Sequence, residues 1–497
     1  MKWVKGFFIG SAAVLVVSSG AQAADLPLKA KAVEYVKVCS LYGAGFYYIP
    51  GTDTCIKLGG YLRADMGINT NLMFAGNTVG AGGAQNRFGN AFTWRSRADL
   101  NVDTRTATEY GVVRTYMETV FSWTSGGWGG SGNGTTTYAG GDIAAGGQLG
   151  VYYAFIQFAG FTMGKAVSQF STPWGNYLGY NIFDGLVGGG GGLTGVNQFT
   201  YTAELGNGMS GSIGVQDPTQ YYQAGILNLG VAPTAAFGTA SLGYGANDYG
   251  GTTVPDIVGR FRVEQAWGSF QVSVAAHDNN PAYYTDQASG GPRDKWGWAG
   301  QLALSINNIP TGPGDTIDMQ SVFTNGATRY NIQDLAAAAG VNTIYTGVTG
   351  IGYGFAPDAV FGPGGQLQLV STWGMRGAFN HNWNEYWASS IFGAYASVSY
   401  SGAAKTFMCG VTIPAAIGLG VTTCNPDYNI GQIGANVRWT PVRNLTFTTE
   451  ALYTMLDQKY QGAATLVANP AIGKPAGSYN LTDQSTWTVM FRAQRSW

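Results

Sequence analysis

Apolar and polar residues alternate along several stretches of the chain, at a spacing that suits extended strands. From Ile56 to Met66 one parity carries Ile56, Leu58, Gly60, Leu62, Ala64 and Met66, and the other Lys57, Gly59, Tyr61, Arg63 and Asp65. The split is sharper from Trp94 to Arg105. There Trp94, Ser96, Ala98, Leu100, Val102 and Thr104 oppose Arg95, Arg97, Asp99, Asn101, Asp103 and Arg105. Residues 111–121 set Val113, Met117 and Phe121 against Arg114, Tyr116 and Glu118, and 445–454 set Leu445, Phe447 and Tyr453 against Thr446, Thr448 and Glu450. A strand sends successive side chains to opposite faces, so each stretch predicts a two-faced strand. Gly206-Asn207-Gly208 predicts a tight hairpin, and further turns fall at 266–269 and 441–444.

Two architectures use such strands: a soluble β-sandwich and a membrane-spanning barrel. The apolar faces are rich in Ala, Thr, Gly and Met, thin material for a packed core. The polar faces carry ionised rows such as Arg95, Arg97 and Asp99, which a water-filled lumen would solvate while lipid takes the other face. Trp94, Phe121, Trp373, Trp383, Trp387, Trp439 and Trp487 sit near segment ends, as aromatic girdles at two membrane interfaces require. These features favour an all-β transmembrane antiparallel barrel. At roughly thirty residues per strand with its connections, the chain predicts about sixteen strands, a size that leaves an aqueous channel.

Composition narrows the classes further. Glycine supplies 77 of 497 residues, and charged residues are only 11%, against about 25% in soluble domains. With 13% aromatics the chain is not of the disordered class. A net charge of −1 gives no footprint for nucleic acid. Lys2 and Lys5, the apolar run Gly6–Val17 and Ala21-Gln22-Ala23 form an export signal over 1–23, leaving 24–497 as one barrel domain. No later run of eighteen apolar residues offers a transmembrane helix. Gly-rich stretches at 75–90, 124–149, 186–195, 232–253 and 308–366 read as loops on one side, the last long enough to hide one or two strands.

Four cysteines lie in two close pairs, Cys39 with Cys55 and Cys409 with Cys424. An exported protein meets an oxidising compartment, so disulfides are expected. Three connectivities are open, and local pairing encloses the shortest loops. With no C-x-x-C, and with His277 and His381 far apart, no metal or cofactor is expected. Neither histidine lies in a nucleophile motif, so an outer-membrane lipase or protease is disfavoured. A secreted β-helical adhesin would need a short repeat, and none is present.

The residues carry a family resemblance. Glu34 to Asp65, Tyr153 to Lys165, Pro255 to Phe270 and the ending Phe491 to Trp497 resemble the alphaproteobacterial general porins. The ending is also similar to the C-terminal signature of outer-membrane barrels, although Arg495 departs from a purely apolar face. The resemblance implies a homotrimeric barrel in outer-membrane lipid that passes small hydrophilic solutes and ions. It also implies that the third external loop, here about 166–195, folds into the lumen as a constriction. The wall candidates are Arg63, Arg95, Arg97 and Arg114, with Glu118 beside them; Asp184 is the loop's one acid. A nearly neutral loop facing arginines would favour anions. The arginines could instead pair with Asp65, Asp99, Asp103 and Glu118, leaving no net field. A sugar-specific channel is the alternative, with Trp174, Tyr177 and Tyr180 stacking on sugar rings.

Overall fold

The alternating segments become barrel staves. The computed structural model describes residues 37–72, 75–76, 92–124, 148–183, 186–190, 194–219, 221–228, 249–282, 293–332, 342–346, 350–362, 366–412, 420–466 and 476–497. The predicted leader at 1–23 and the candidate Asp184 lie outside the described residues. Sixteen strands close on themselves. They are β1 (Cys55–Ile68), β2 (Phe92–Thr108), β3 (Gly111–Thr124), β4 (Gln148–Phe158), β5 (Phe161–Ala166), β6 (Val196–Gly206), β7 (Met209–Gln216) and β8 (Asp256–Gln265). The circuit continues through β9 (Gly268–Asn279), β10 (Lys295–Asn307), β11 (Thr316–Asn325), β12 (Ser371–Asn382), β13 (Trp387–Ser399), β14 (Tyr428–Val442), β15 (Leu445–Gln458) and β16 (Gln484–Ser496). Each pairs antiparallel with its chain neighbour. β16 returns to β1 from Tyr61 opposite Ser496 to Ile68 opposite Val489. Closure leaves no open edge, which a sheet in lipid requires. Among the described residues no helix is long and apolar enough to cross a membrane.

The faces follow the sequence parity, with burial inverted relative to a soluble protein. Leu62, Leu302, Ile433 and Trp487 are more than half exposed on the outside, whereas Asp65, Arg95 and Asp99 on the inside are almost fully covered. Trp94, Trp373 and Trp487 stand near one end of their strands, and Trp383, Trp387 and Trp439 near the other. The last two stack at 5.9 Å. These are the two expected girdles.

One end carries short turns, and the other carries the long loops. The β6–β7 turn has Asn207 at φ 51° and Gly208 at φ 71°, the paired positive angles that match a hairpin's twist. A Cβ on Gly208 would lie 2.0 Å from the Glu264 carbonyl oxygen. The stretch 308–366 is not a single loop on one side, and it hides a barrel strand, as its length allowed. Its first residues are the short turn after β10, and then β11 crosses the barrel. The run Thr316–Asn325 alternates in the same way as its neighbours, but the glycines and prolines of 308–314 obscure its start.

Both cysteine pairs are joined locally, Cys39 to Cys55 and Cys409 to Cys424. The first ties a short N-terminal segment, including Tyr47–Tyr48, to the start of β1.

Candidate functional site

The loop after β5 is here called L3, and its described residues, 167–183, 186–190 and 194–195, lie inside the barrel against the inner faces of β9–β15. Strand side chains hold its backbone. The Gln271 amide donates to the carbonyls of Phe170 and Ser171, and Gln301 donates to Phe170. Arg376 donates to the Gly175 carbonyl at 2.8 Å, and Asn436 to that of Gly179 at 2.8 Å. The Glu450 carboxylate accepts from the consecutive N–H groups of Ile182 and Phe183 at 2.9 and 3.1 Å, and Gln432 accepts from Val187. A loop taken out of water must satisfy its peptide groups, and these amides and ions do so. Leu178, Ile182 and Phe183 join the wall residues Ala378 and Phe392 in one apolar cluster. The glycine run has a specific use there. Gly188, at φ 86°, sits so close to β12 that a Cβ would lie 2.4 Å from the Met375 carbonyl oxygen.

L3 leaves open the side formed by β1–β4 and β16, where the predicted wall residues lie. Asp65 on β1 stands directly opposite Arg95 on β2 and Arg492 on β16. Arg95 donates to it through two nitrogens at 2.9 and 2.7 Å, and Arg492 at 2.7 Å. Arg114 and Arg105 both grip Asp103. Arg63 donates to Gln494 and lies 4.4 Å from the Tyr61 ring, while Arg97 donates to Ser122. Glu118 accepts from the Tyr116 hydroxyl. The expected mutual pairing is therefore present for Arg95 and Arg114, while Arg63, whose charge also acts on Asp65 and Asp99, donates to Gln494 and Arg97 to Ser122.

Between L3, β1, β16 and the short-turn ends of β10–β15 lies a cavity of about 850 Å³, which Arg63 lines and Arg95, Arg97 and Arg114 do not. Its lining includes Tyr177 and Tyr180 from L3, Arg63, Arg438 and Arg492 from the strands, and the acids Asp318 and Glu385. Among the described residues L3 carries no charged side chain. The three L3 aromatics considered for stacking divide: Trp174 packs against the apolar cluster, while Tyr177 and Tyr180 are 43% and 56% exposed. Sequence reasoning missed Arg438, Arg492 and the L3 anchors Arg376, Gln432 and Asn436. The signal for Arg438 was present, since Gln432, Gly434, Asn436 and Arg438 share one parity. Glu450 was legible as lumen-facing but not as an anchor.

Both histidines have structural partners. His381 meets Asp315 at 2.6 Å. Burial alone would raise the Asp315 carboxyl, but Thr311, the Asn382 N–H and His381 together hold it down at about 2. His277 is fully buried, with Nδ1 2.7 Å from Asp256 and Nε2 3.0 Å from the Tyr249 hydroxyl and 3.5 Å from Asp358. Tyr330, in the loop after β11, donates to Asp256. Burial and that carboxylate push its phenol well above the ordinary range.

A closed antiparallel barrel, apolar outside, charged inside and narrowed by a loop clamped to its inner wall, defines an outer-membrane β-barrel. Residues 25–490 match the family model described as the porin subfamily, and the chain belongs to that family. Porin Omp2b of Brucella suis biovar 1 is 34% identical over 278 residues, covering 56% of this chain and 66% of that protein. The Brucella canis Omp2b is 33% identical over the same span. The chain thus aligns with just under two thirds of these relatives' length. The fold is also similar to that of the outer membrane channel DcaP of Acinetobacter baumannii, at TM-score 0.54 and 15% identity over 90% of this chain and 99% of that one.

Proposed function

We propose that this protein is a passive diffusion pore of the outer membrane, admitting small hydrophilic solutes and ions with a preference for anions, and that it reaches the membrane through the leader at 1–23. The carrying observation is the cavity between L3 and the arginine-bearing wall, lined by polar and charged side chains. Water there solvates both the wall ions and the solute, and transport needs no chemical step. The narrowest passage sets the size limit, and its charges set the ion bias. Assembly as a homotrimer belongs to the same proposal. It is supported by an apolar groove outside the β16–β1 seam, lined by Leu62, Ala98, Phe121, Trp123, Leu149 and Leu445, a face that a second copy would cover.

The test is purified protein in planar bilayers. The expected record is ohmic conductance that scales with salt, closing in three equal steps, with a reversal potential of anion-preferring sign under a salt gradient. Folded protein that gives no channels would overturn the pore. Single-step closure would overturn the trimer.

A further inference from the structure

Resting on the pore reading, we propose that Arg438, held beneath Tyr180 of L3, is the residue that sets ion preference, and that it gives the loop side of the passage a fixed cation for small inorganic and carboxylate anions. The family resemblance implies acids on the loop facing arginines on the wall. Here the described loop residues are neutral, and the charged side chain beneath the Tyr180 ring is an arginine.

The strand register shows how this arises. Directly opposed residues run from β2 to β14 as Arg95, Asp65, Arg492, Thr448 and Arg438. Asp65 sits between the first two arginines and is bonded to both. Arg438 lies at the far end of the row, beside neutral Thr448 on β15 and Ala388 on β13. Its guanidinium carbon is 4.0 Å from the centre of the Tyr180 ring, and Nη1 donates to Ser390 at 3.0 Å and Asn436 at 3.5 Å. None of these contacts is a carboxylate. Two positions along the strand, at the next inward residue, Asn436 stands opposite Glu450, whose charge acts on Arg438 but whose oxygens are bonded to L3 N–H groups and to Asn436. Of the two acids lining the same cavity, Asp318 accepts from Ser305 and Asn380, and Glu385 stands in the short turn at the mouth.

Tyr180 has φ 51°, a left-handed conformation that is uncommon for a bulky side chain. Such backbone persists where the surroundings over-determine it, and it clusters at functional sites. The conformation places the ring over Arg438, where the cation–π contact holds the guanidinium in one place. Tyr180 is therefore the positioning residue and Arg438 the selectivity residue. Arg492 on β16 and Arg63 on β1, two and three strands further around the wall, line the same cavity, so a permeating anion passes Arg438 together with these cations.

The experiment is reversal potential in bilayers under a potassium chloride gradient kept near 0.1 M, where screening extends about 10 Å. Arg438→Gln is compared with Arg438→Lys, Tyr180→Ala and Arg95→Gln. One unit charge about 7 Å from the ion path weights anions against the neutral case by about threefold. Arg438→Gln is expected to cut the anion-to-cation permeability ratio by at least that factor. Arg438→Lys should retain the ratio, Tyr180→Ala should lose part of it, and Arg95→Gln should lose less than Arg438→Gln. Heat-dependent gel mobility confirms that each barrel is folded. An Arg438→Gln channel of normal conductance and unchanged ratio overturns the inference, as does an Arg95→Gln loss that equals or exceeds it. Absence of channels from the unaltered protein would instead overturn the pore reading.

Discussion

The two sides of the barrel interior solve opposite problems with the same alternating strand. On β1–β3 and β16 the inward positions carry ions that are answered mostly by wall neighbours, Asp65 by Arg95 and Arg492 directly across the sheet, and Asp103 by Arg105 on its own strand and Arg114 on the next. On β9–β14 the inward positions carry alanines and amides: Ala275, Ala299, Ala303, Ala378, Ala394 and Ala396 alongside Gln271, Gln301, Gln320, Gln432 and Asn436. The alanines leave room, and most of these amides bond loop backbone. Loops occupy that space, bringing Phe170, Tyr222 and Tyr330 against Val258, Ala275 and Val322. One side therefore remains a wall facing water, and the other becomes a packed core built inside a membrane barrel. The difference shows that alternation fixes only which face a residue takes. Side-chain size and hydrogen-bonding capacity on the inner face decide whether that face bounds a channel or receives a loop.

The largest predicted effect falls in the packed side. His277→Ala takes a partner from Asp256 and from Asp358, both fully buried, at roughly 1–3 kcal/mol for each buried acceptor so deprived. Asp358 also accepts from the backbone of Ala224 and Thr328, so the loops after β7 and β11 would loosen together. A lower denaturation midpoint in detergent and new proteolysis near Tyr249 and Tyr330 are expected. An unchanged midpoint would mean that this region is not a core.

Glu450→Gln is expected to cost less, since the amide keeps one acceptor for the two L3 N–H groups and loses the other, roughly 1–3 kcal/mol. Its distinguishing readout is electrical. L3 should fluctuate, giving noisier single-channel current while most of the conductance remains. A quiet trace would show that the apolar contacts of Leu178 and Phe183 suffice to hold the loop.

The comparison also explains what could be read from the sequence. Faces follow from local alternation, turns from their glycines and asparagines and strand number from chain length, and Arg63, Arg95, Arg97 and Arg114 could be assigned to the lumen because a parity count needs only neighbours along the chain. The charge balance could not. Whether Arg95 is neutralised depends on Asp65 lying opposite it, and Arg492 reaches Asp65 only because β16 closes onto β1, a contact separated by 427 residues. L3 was expected to enter the lumen by family resemblance. Its anchors come from strands more than 100 residues away, and no local pattern distinguishes a glutamine that binds water from one that binds a loop carbonyl.

The smallest effect is expected on the open wall. Arg114 contacts Asp103 at 3.0 Å, with side-chain exposures of 29% and 11%, and Arg105 grips the same carboxylate. Because Arg105 remains after Arg114→Gln, and because water reaches the pair, the loss should stay within about 0–1 kcal/mol. It should also shrink as salt rises from about 0.05 to 1 M, since the screening length falls to about 3 Å. Denaturation midpoints of the variant and the unaltered protein at the two salt concentrations measure this directly. A salt-independent loss as large as that of His277→Ala would show that this wall is as dry as the opposite one, and the contrast between the two sides would fail.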